Sequence, residues 1–260
     1  VTAVAKNPTW TFTDFEFNAL WYEATGEWMP WPFAFTTDIA SYDEFVSRRR
    51  RTMPRLIRSL RSSFDQVLRT FSAPEARVVV NGWGGHSHRD PDAVLRLLAV
   101  RRGDRGYLVT QAPGRTYWHG EVLTVTECDP LRLADTVVRA LPERRPGGGA
   151  DIVLPDGDID DDLDYFFSDA AGDRARQFLD APLVCAGAIH VIQHFSAYGP
   201  RGSARYRLNW RDLDGDGRYV IDGRAPTIAT AADHHLLVAL LDGRIDDAVA
   251  ASGQRDTRAG

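Results

Sequence analysis

The residues best equipped for chemistry lie in a polar loop. His86-Ser87-His88 with Asp90 combines imidazole and carboxylate, the groups of a metal site or an acid–base pair. The surrounding Gly84–Asp92 stretch is rich in Gly and Pro, and in such a loop a solvated surface is the preferred reading. His190 and His194 are four apart but lack the glutamate of H-E-x-x-H, and the stretch between them has the pattern of a strand. Asp212-Leu213-Asp214-Gly215-Asp216-Gly217 opens like a calcium loop, yet Gly223 stands at the twelfth position where a bidentate glutamate is required. Asp158, Asp160, Asp161, Asp162 and Asp164 crowd a helix start and read as a solvated face. No serine sits in G-x-S-x-G, no glycine run matches a phosphate loop, and neither Cys128 nor Cys185 has a recognisable histidine partner. The expectation is a protein without catalytic residues, metal or cofactor.

Composition narrows the partners. The chain has 260 residues and a net charge of −5, which speaks against nucleic acid and anionic membrane surfaces. Lys6 is the lone lysine, so arginine supplies nearly all positive charge. Arg48-Arg49-Arg50-Arg51, with Arg55, Arg58 and Arg61, falls largely off the apolar stripe of its helix. A solvated face is preferred there to a phosphate-binding one. Two distant cysteines form no disulfide framework, no apolar run approaches membrane-spanning length, and the N-terminus lacks a signal pattern. A cytoplasmic location without membrane insertion is expected.

The elements that must position any site occur twice. Gly103-Asp104-Arg105-Gly106-Tyr107-Leu108-Val109 reads as a hairpin turn feeding a strand, and Gly215-Asp216-Gly217-Arg218-Tyr219-Val220-Ile221 repeats it. In the first half, Thr13-Asp14-Phe15-Glu16 predicts a capped helix ending near Gly26, followed by an extended aromatic segment, Trp28 to Phe35. That segment is expected to pack between layers, the alternative being that its rings form a partner surface. A long helix over 41–71 carries Pro54 as a kink or break; strands follow at 77–83, 94–101, 106–112 and 120–126, and then a helix opened by Thr126-x-x-Asp129. Pro146-Gly147-Gly148-Gly149 is the linker. The second half offers a strand at 152–154, a helix over 158–179, strands at 186–194, 205–211 and 218–222, and a helix over 231–249 opened by Thr230-x-x-Asp233. The repeat spans about 105–112 residues, which suggests a pseudo-twofold rather than an array. The expected fold is α+β, a central twisted antiparallel sheet with two helical bundles. Subdomains at about 9–145 and 150–250 form one domain, and 251–260 is expected to be a disordered tail.

Several segments together resemble EspG, the ESX secretion-associated proteins of actinobacterial type VII secretion. They are Phe12-Thr13-x-x-Glu16-Phe17-x-x-Leu20-Trp21, Met29-Pro30-Trp31-Pro32-Phe33, Arg77-Val78-x-Val80-x-Gly82-Trp83 and the two Thr-x-x-Asp helix starts. The resemblance runs over roughly residues 9–250. It implies a chaperone rather than an enzyme, one that binds PE–PPE heterodimers at the helical tip of the PPE subunit, keeps them soluble and selects them for export. It places the contact surface on the sheet, the helices at 158–179 and 231–249, and the loop at 84–92. Within those elements the expected partner-binding residues are Trp83, His86, His88, Arg89, Asp90, Trp210, His234, Leu237 and Leu241. Self-association without substrate stays open. The alternatives are an interaction or scaffold protein of the same secretion locus and, less favoured, a metal-dependent enzyme.

Overall fold

The computed structural model describes residues 7–60, 64–84, 90–155, 170–193, 205–224 and 226–256. Its strands are β1 (Thr9–Phe12), β2 (Ala76–Gly84), β3 (Leu95–Arg102), β4 (Arg105–Pro113), β5 (Gly120–Cys128), β6 (Ile152–Val153), β7 (Leu183–Gln193), β8 (Arg205–Leu213), β9 (Arg218–Asp222) and β10 (Ile228–Ala231). Its helices are α1 (Asp14–Thr25), α2 (Tyr42–Leu60), α3 (Asp65–Ser72), α4 (Leu133–Arg139), α5 (Ala170–Asp180) and α6 (His234–Asp256).

The ten strands among the described residues form one sheet in the order β1-β5-β4-β3-β2-β7-β8-β9-β10-β6. The order is its own mirror: each strand of the first half has a counterpart at the same distance from the centre. The centre is the antiparallel β2/β7 ladder, in which Val80 faces Ile189 and Gly82 faces Gly187. This is the pseudo-twofold that the repeated turns foretell. Gly103 and Gly215 hold φ of +55° and +74°, conformations in which an L side chain is strained.

Alternation along the strands splits the core into two layers. Val78, Val80, Ile189, Val191, Leu208 and Trp210 point to one face, where α4 and α6 cover them with Leu133, Val137, Leu237, Leu241 and Ile245. Val79, Leu98, Val100, Tyr107 and Val109 point to the other face, beneath α1 and α3. On that same face α5 covers Tyr219, Ile221 and Ala229 in the second half. The repeat survives in the packing: Phe71 meets Tyr107 edge-on at 6.1 Å, and Phe178 meets Tyr219 edge-on at 5.2 Å.

Trp210 explains the paired glycines. A Cβ on Gly82 would lie 2.8 Å from the indole, and one on Gly187 would collide with it outright. The largest side chain at the sheet centre therefore lies on the strip of backbone left bare by both glycines.

Several expectations are corrected. The helix over 41–71 is two helices, and Pro54 lies inside the first of them. The two pack on different neighbours: α2 rests on α1, whereas α3 also reaches β3 and β4. Thr126 and Thr230 are not helix caps but lie in β5 and β10. The capping carboxylates are those of Asp129, which accepts from Leu131 N at 2.9 Å, and Asp233, which accepts from Leu236 N at 2.8 Å. A strand tail directly before an Asp cap mimics a Thr-x-x-Asp start. Helix α6 runs to Asp256, into the stretch expected to be a tail. The Thr13/Glu16 capping box forms as expected.

The Pro146–Gly149 stretch joins the halves but does not hang free. Gly147 N donates to Arg218 O at 3.0 Å, Gly148 N to Asp216 Oδ1 at 2.7 Å and Gly149 N to Tyr219 Oη at 2.9 Å. Arg145 adds bonds to the carbonyls of Gly215 and Asp216. The second Gly-Asp turn is thus the dock for the connection between the halves.

Candidate functional site

One row of paired residues, read across the sheet, locates the site. Asn81 pairs Arg96 on one side and Ala188 on the other; Ala188 pairs Asn209, Asn209 pairs Ile221, and Ile221 pairs Ala229. The row is polar in the middle and apolar beneath α5. The next row brings Val79 opposite His190 and His190 opposite Arg207. On this face α1 and α3 cover one end and α5 the other. Between them Asn81, Trp83, His190 and Asn209 keep partial exposure and Arg207 is exposed. The middle of the sheet is a saddle between two helical blocks.

The aromatic segment forms one flank. Gln111 clamps it: its Oε1 accepts from Ala34 N at 2.9 Å and its Nε2 donates to Ala34 O at 2.7 Å. Phe33 is buried against Phe17, as expected of a segment packed between layers. Trp31 breaks that expectation. It is half exposed and stands edge-on over His190, with ring centroids 5.0 Å apart. Beneath it lies a notch of about 580 Å³ lined by Glu27, Met29, Arg77, Val79, Leu98 and Ile192 among others. Burial lowers the pKa of Arg77, whose guanidinium lies over the Trp21 ring at 5.3 Å.

The segment Gly114–His119 forms a second edge. Arg96, itself buried, donates to the carbonyls of Tyr117 and His119 and so holds this segment over the sheet. Trp118, at its outer bend, is 64% exposed. On the far flank Arg211 donates to Leu179 O at 2.6 Å and lies 5.4 Å over the Phe178 ring, fastening α5 to β8.

The expected site residues divide between the two sheet faces. Trp83 is half-buried in β2 on the saddle face, opposite Ala186. Asp90 is exposed, and its carboxylate accepts from Asp92 N at 3.1 Å to cap the turn Pro91–Ala93. His86, His88 and Arg89 lie outside the described residues. Trp210, Leu237 and Leu241 sit on the opposite face and are fully buried in the layer under α4 and α6, where they support the sheet and present no surface to a partner. Apolar periodicity marks a helix's inward face, and that face is spent on the core. His234 is on that side too. Its Nε2 lies 2.9 Å from Asp135 Oδ1, joining α6 to α4. Arg139, then His234, hold the Asp135 carboxyl down at about 2.

Trp31 and His190 were each visible in the sequence as aromatic or titratable residues, but only the packing of the aromatic segment against β7 brings them together. Trp118 gives no signal of its own. The calcium-like turn is internally occupied: Asp212 makes a buried two-point ion pair with Arg218 at 2.7 and 2.8 Å, and Asp216 accepts from Tyr219 Oη at 2.7 Å. Among the described residues no group of three or more His, Cys, Asp or Glu could hold a metal ion. Burial pushes the Cys128 thiol up to about 12, well away from a reactive thiolate.

Exposed tryptophans around a strip of sheet that the described helices leave partly exposed are the features of a protein-binding surface. The EspG family profile matches residues 13–243, and the chain belongs to the EspG family. Among solved structures it is similar to the type VII secretion system chaperone EspG5 of Mycobacterium tuberculosis, determined in complex with a PE25-PPE41 dimer. The TM-score is 0.56 at 13% identity, over 93% of this chain and 96% of that one. No curated protein sequence matches the chain. No helix among the described residues is long and apolar enough to cross a membrane.

Proposed function

We propose that this protein is a cytoplasmic, non-catalytic chaperone of a type VII secretion system. It binds a PE–PPE heterodimer at the helical tip of the PPE subunit, keeps it soluble and presents it for export. The observation that carries this reading is the saddle framed by Trp31, Trp118 and Trp83 at the centre of the sheet. Family membership and the likeness to a chaperone solved with such a dimer support it.

The physics suits the task. The apolar end of a helical pair aggregates when exposed to water. A concave strip between two helical blocks can take it helix-first, with tryptophan edges burying its apolar side chains and Asn81, Asn209 and Arg207 meeting its polar backbone ends.

The test is co-expression with PE–PPE pairs followed by size-exclusion chromatography. A 1:1:1 complex, with the pair insoluble when expressed alone, supports the reading. Failure to recover a complex with any cognate pair overturns it.

A further inference from the structure

Helix α2 is out of proportion to what it buries. It has 19 residues, and only Phe45 and Leu56 are fully buried. Tyr42 and Ile57 are well exposed, and six arginines share the helix with just two acids, Asp43 and Glu44. In a chain of net charge −5 this is a concentrated reversal of sign.

The arginines line a cleft rather than a convex face. Between the start of α1 and α2 lies a space of about 810 Å³, bounded by Arg48, Arg51 and Arg55 on one wall, with Thr52 and Ser59, and by Thr13, Phe15 and Glu16 on the other. None of its residues lines the notch beneath Trp31. Glu16 is already engaged, accepting from Thr13 N at 2.9 Å and Thr13 Oγ1 at 3.0 Å. Among the described residues no carboxylate lies within ion-pair distance of Arg48, Arg51 or Arg55. Arg48 is held over the Phe15 ring at 4.6 Å, and Arg51 donates to Ser47 Oγ at 3.0 Å. Contacts of this kind limit the rotamers a long side chain must surrender on binding.

We propose that this cleft docks a short acidic segment of a second protein partner while the sheet centre holds the client. Positions 48, 51 and 55 follow one helix face over about 10 Å, the length of roughly three extended residues. A stretch of two or three carboxylates matches that spacing. Nucleic acid fits less well. The ring in the cleft lining, Phe15, is already capped by Arg48 at 4.6 Å, so the cleft itself offers bases no stacking platform. The overall negative charge also repels a long polyanion.

The test uses the full chain and a fluorescently labelled Glu-Ala repeat peptide, read by anisotropy at low and raised salt. The peptide is expected to bind, to weaken as salt rises, and to lose at least ~tenfold in affinity in R51E/R55E. R51K/R55K is expected to retain binding because the charge stays. Among the described residues these positions make no ring contact, and R51Q/R55Q with a thermal unfolding curve separates lost charge from lost fold. Equal binding by R51E/R55E, or no binding at low salt, overturns the proposal. A labelled single-stranded oligonucleotide that binds as tightly as the peptide, with the same arginine dependence, overturns it too. Co-purification of a PE–PPE pair with R51E/R55E is scored separately, so a failure of this site and a failure of the client reading are told apart.

Discussion

Tyr219 Oη donates to Asp216 Oδ2 at 2.7 Å while accepting from Gly149 N at 2.9 Å, so one phenol ties the second hairpin turn to the connection between the halves. Its counterpart Tyr107 keeps the ring packing, against Phe71, without any such bond. Tyr219→Phe should therefore cost about 1 kcal/mol, and Tyr107→Phe less than about 0.5 kcal/mol. Urea denaturation of the two variants checks this; equal losses would remove the tie from the account.

Gly187 and Gly82 should resist the smallest possible side chain. Gly187→Ala places a methyl into the Trp210 indole and the backbone of β2, and overpacking of that kind costs about 1–3 kcal/mol. Gly243 on α6 has open space at its Cβ position, and Gly243→Ala serves as the neutral-to-stabilising control. Thermal unfolding of both variants reads the difference directly.

Trp31 and Trp118 carry the client prediction. Both are at least half exposed, so their removal leaves the core intact. Trp31→Ala and Trp118→Ala should each reduce client affinity by about tenfold or more with little change in melting temperature, as interface tryptophans do. Trp210→Ala should instead unfold the protein, because that indole is buried in the layer under α6. Titration calorimetry and a melting curve separate the two outcomes.

Asp135 sets an acid dependence. Its folded carboxyl, held at about 2 by Arg139 and His234, lies below the ordinary carboxylate value near 4. A depressed folded pKa stabilises the protein above the unfolded value, and that stability drains away as the pH falls from about 4 towards 2. Arg132 and Arg139 are solvent-exposed, so the contribution is limited to about 1 kcal/mol. Asp135→Asn should be less stable than the parent at pH 7 and converge with it near pH 2, as followed by circular dichroism.

The duplication was legible because turn chemistry is local. Gly-Asp at 103–104 and 215–216 states its own backbone conformation, and Thr13 with Glu16 states a helix start. The sheet centre was not legible in this way. That Gly82 and Gly187 leave room for Trp210 depends on three strands, one of them more than a hundred residues from β2, meeting in one register. The same gap misassigned Leu237 and Leu241. Their spacing shows that a helix has an apolar face; it does not say whether that face meets the chain's own sheet or another molecule's helix. Trp118 escaped for the converse reason, and the Trp28–Phe35 rings could be read either as core or as partner surface, since exposure belongs to the assembled surface.

The self-mirrored strand order has a consequence for how the molecule can change. In a dimer of identical subunits every substitution appears twice, so a surface on the axis must stay symmetric. Here both sides of the β2/β7 seam belong to one polypeptide, and each can be altered alone. The first half carries α1, α2 and the aromatic segment, and the second half docks the connecting chain on its hairpin turn. A covalent join at a twofold lets one molecule offer an asymmetric cradle to an asymmetric guest.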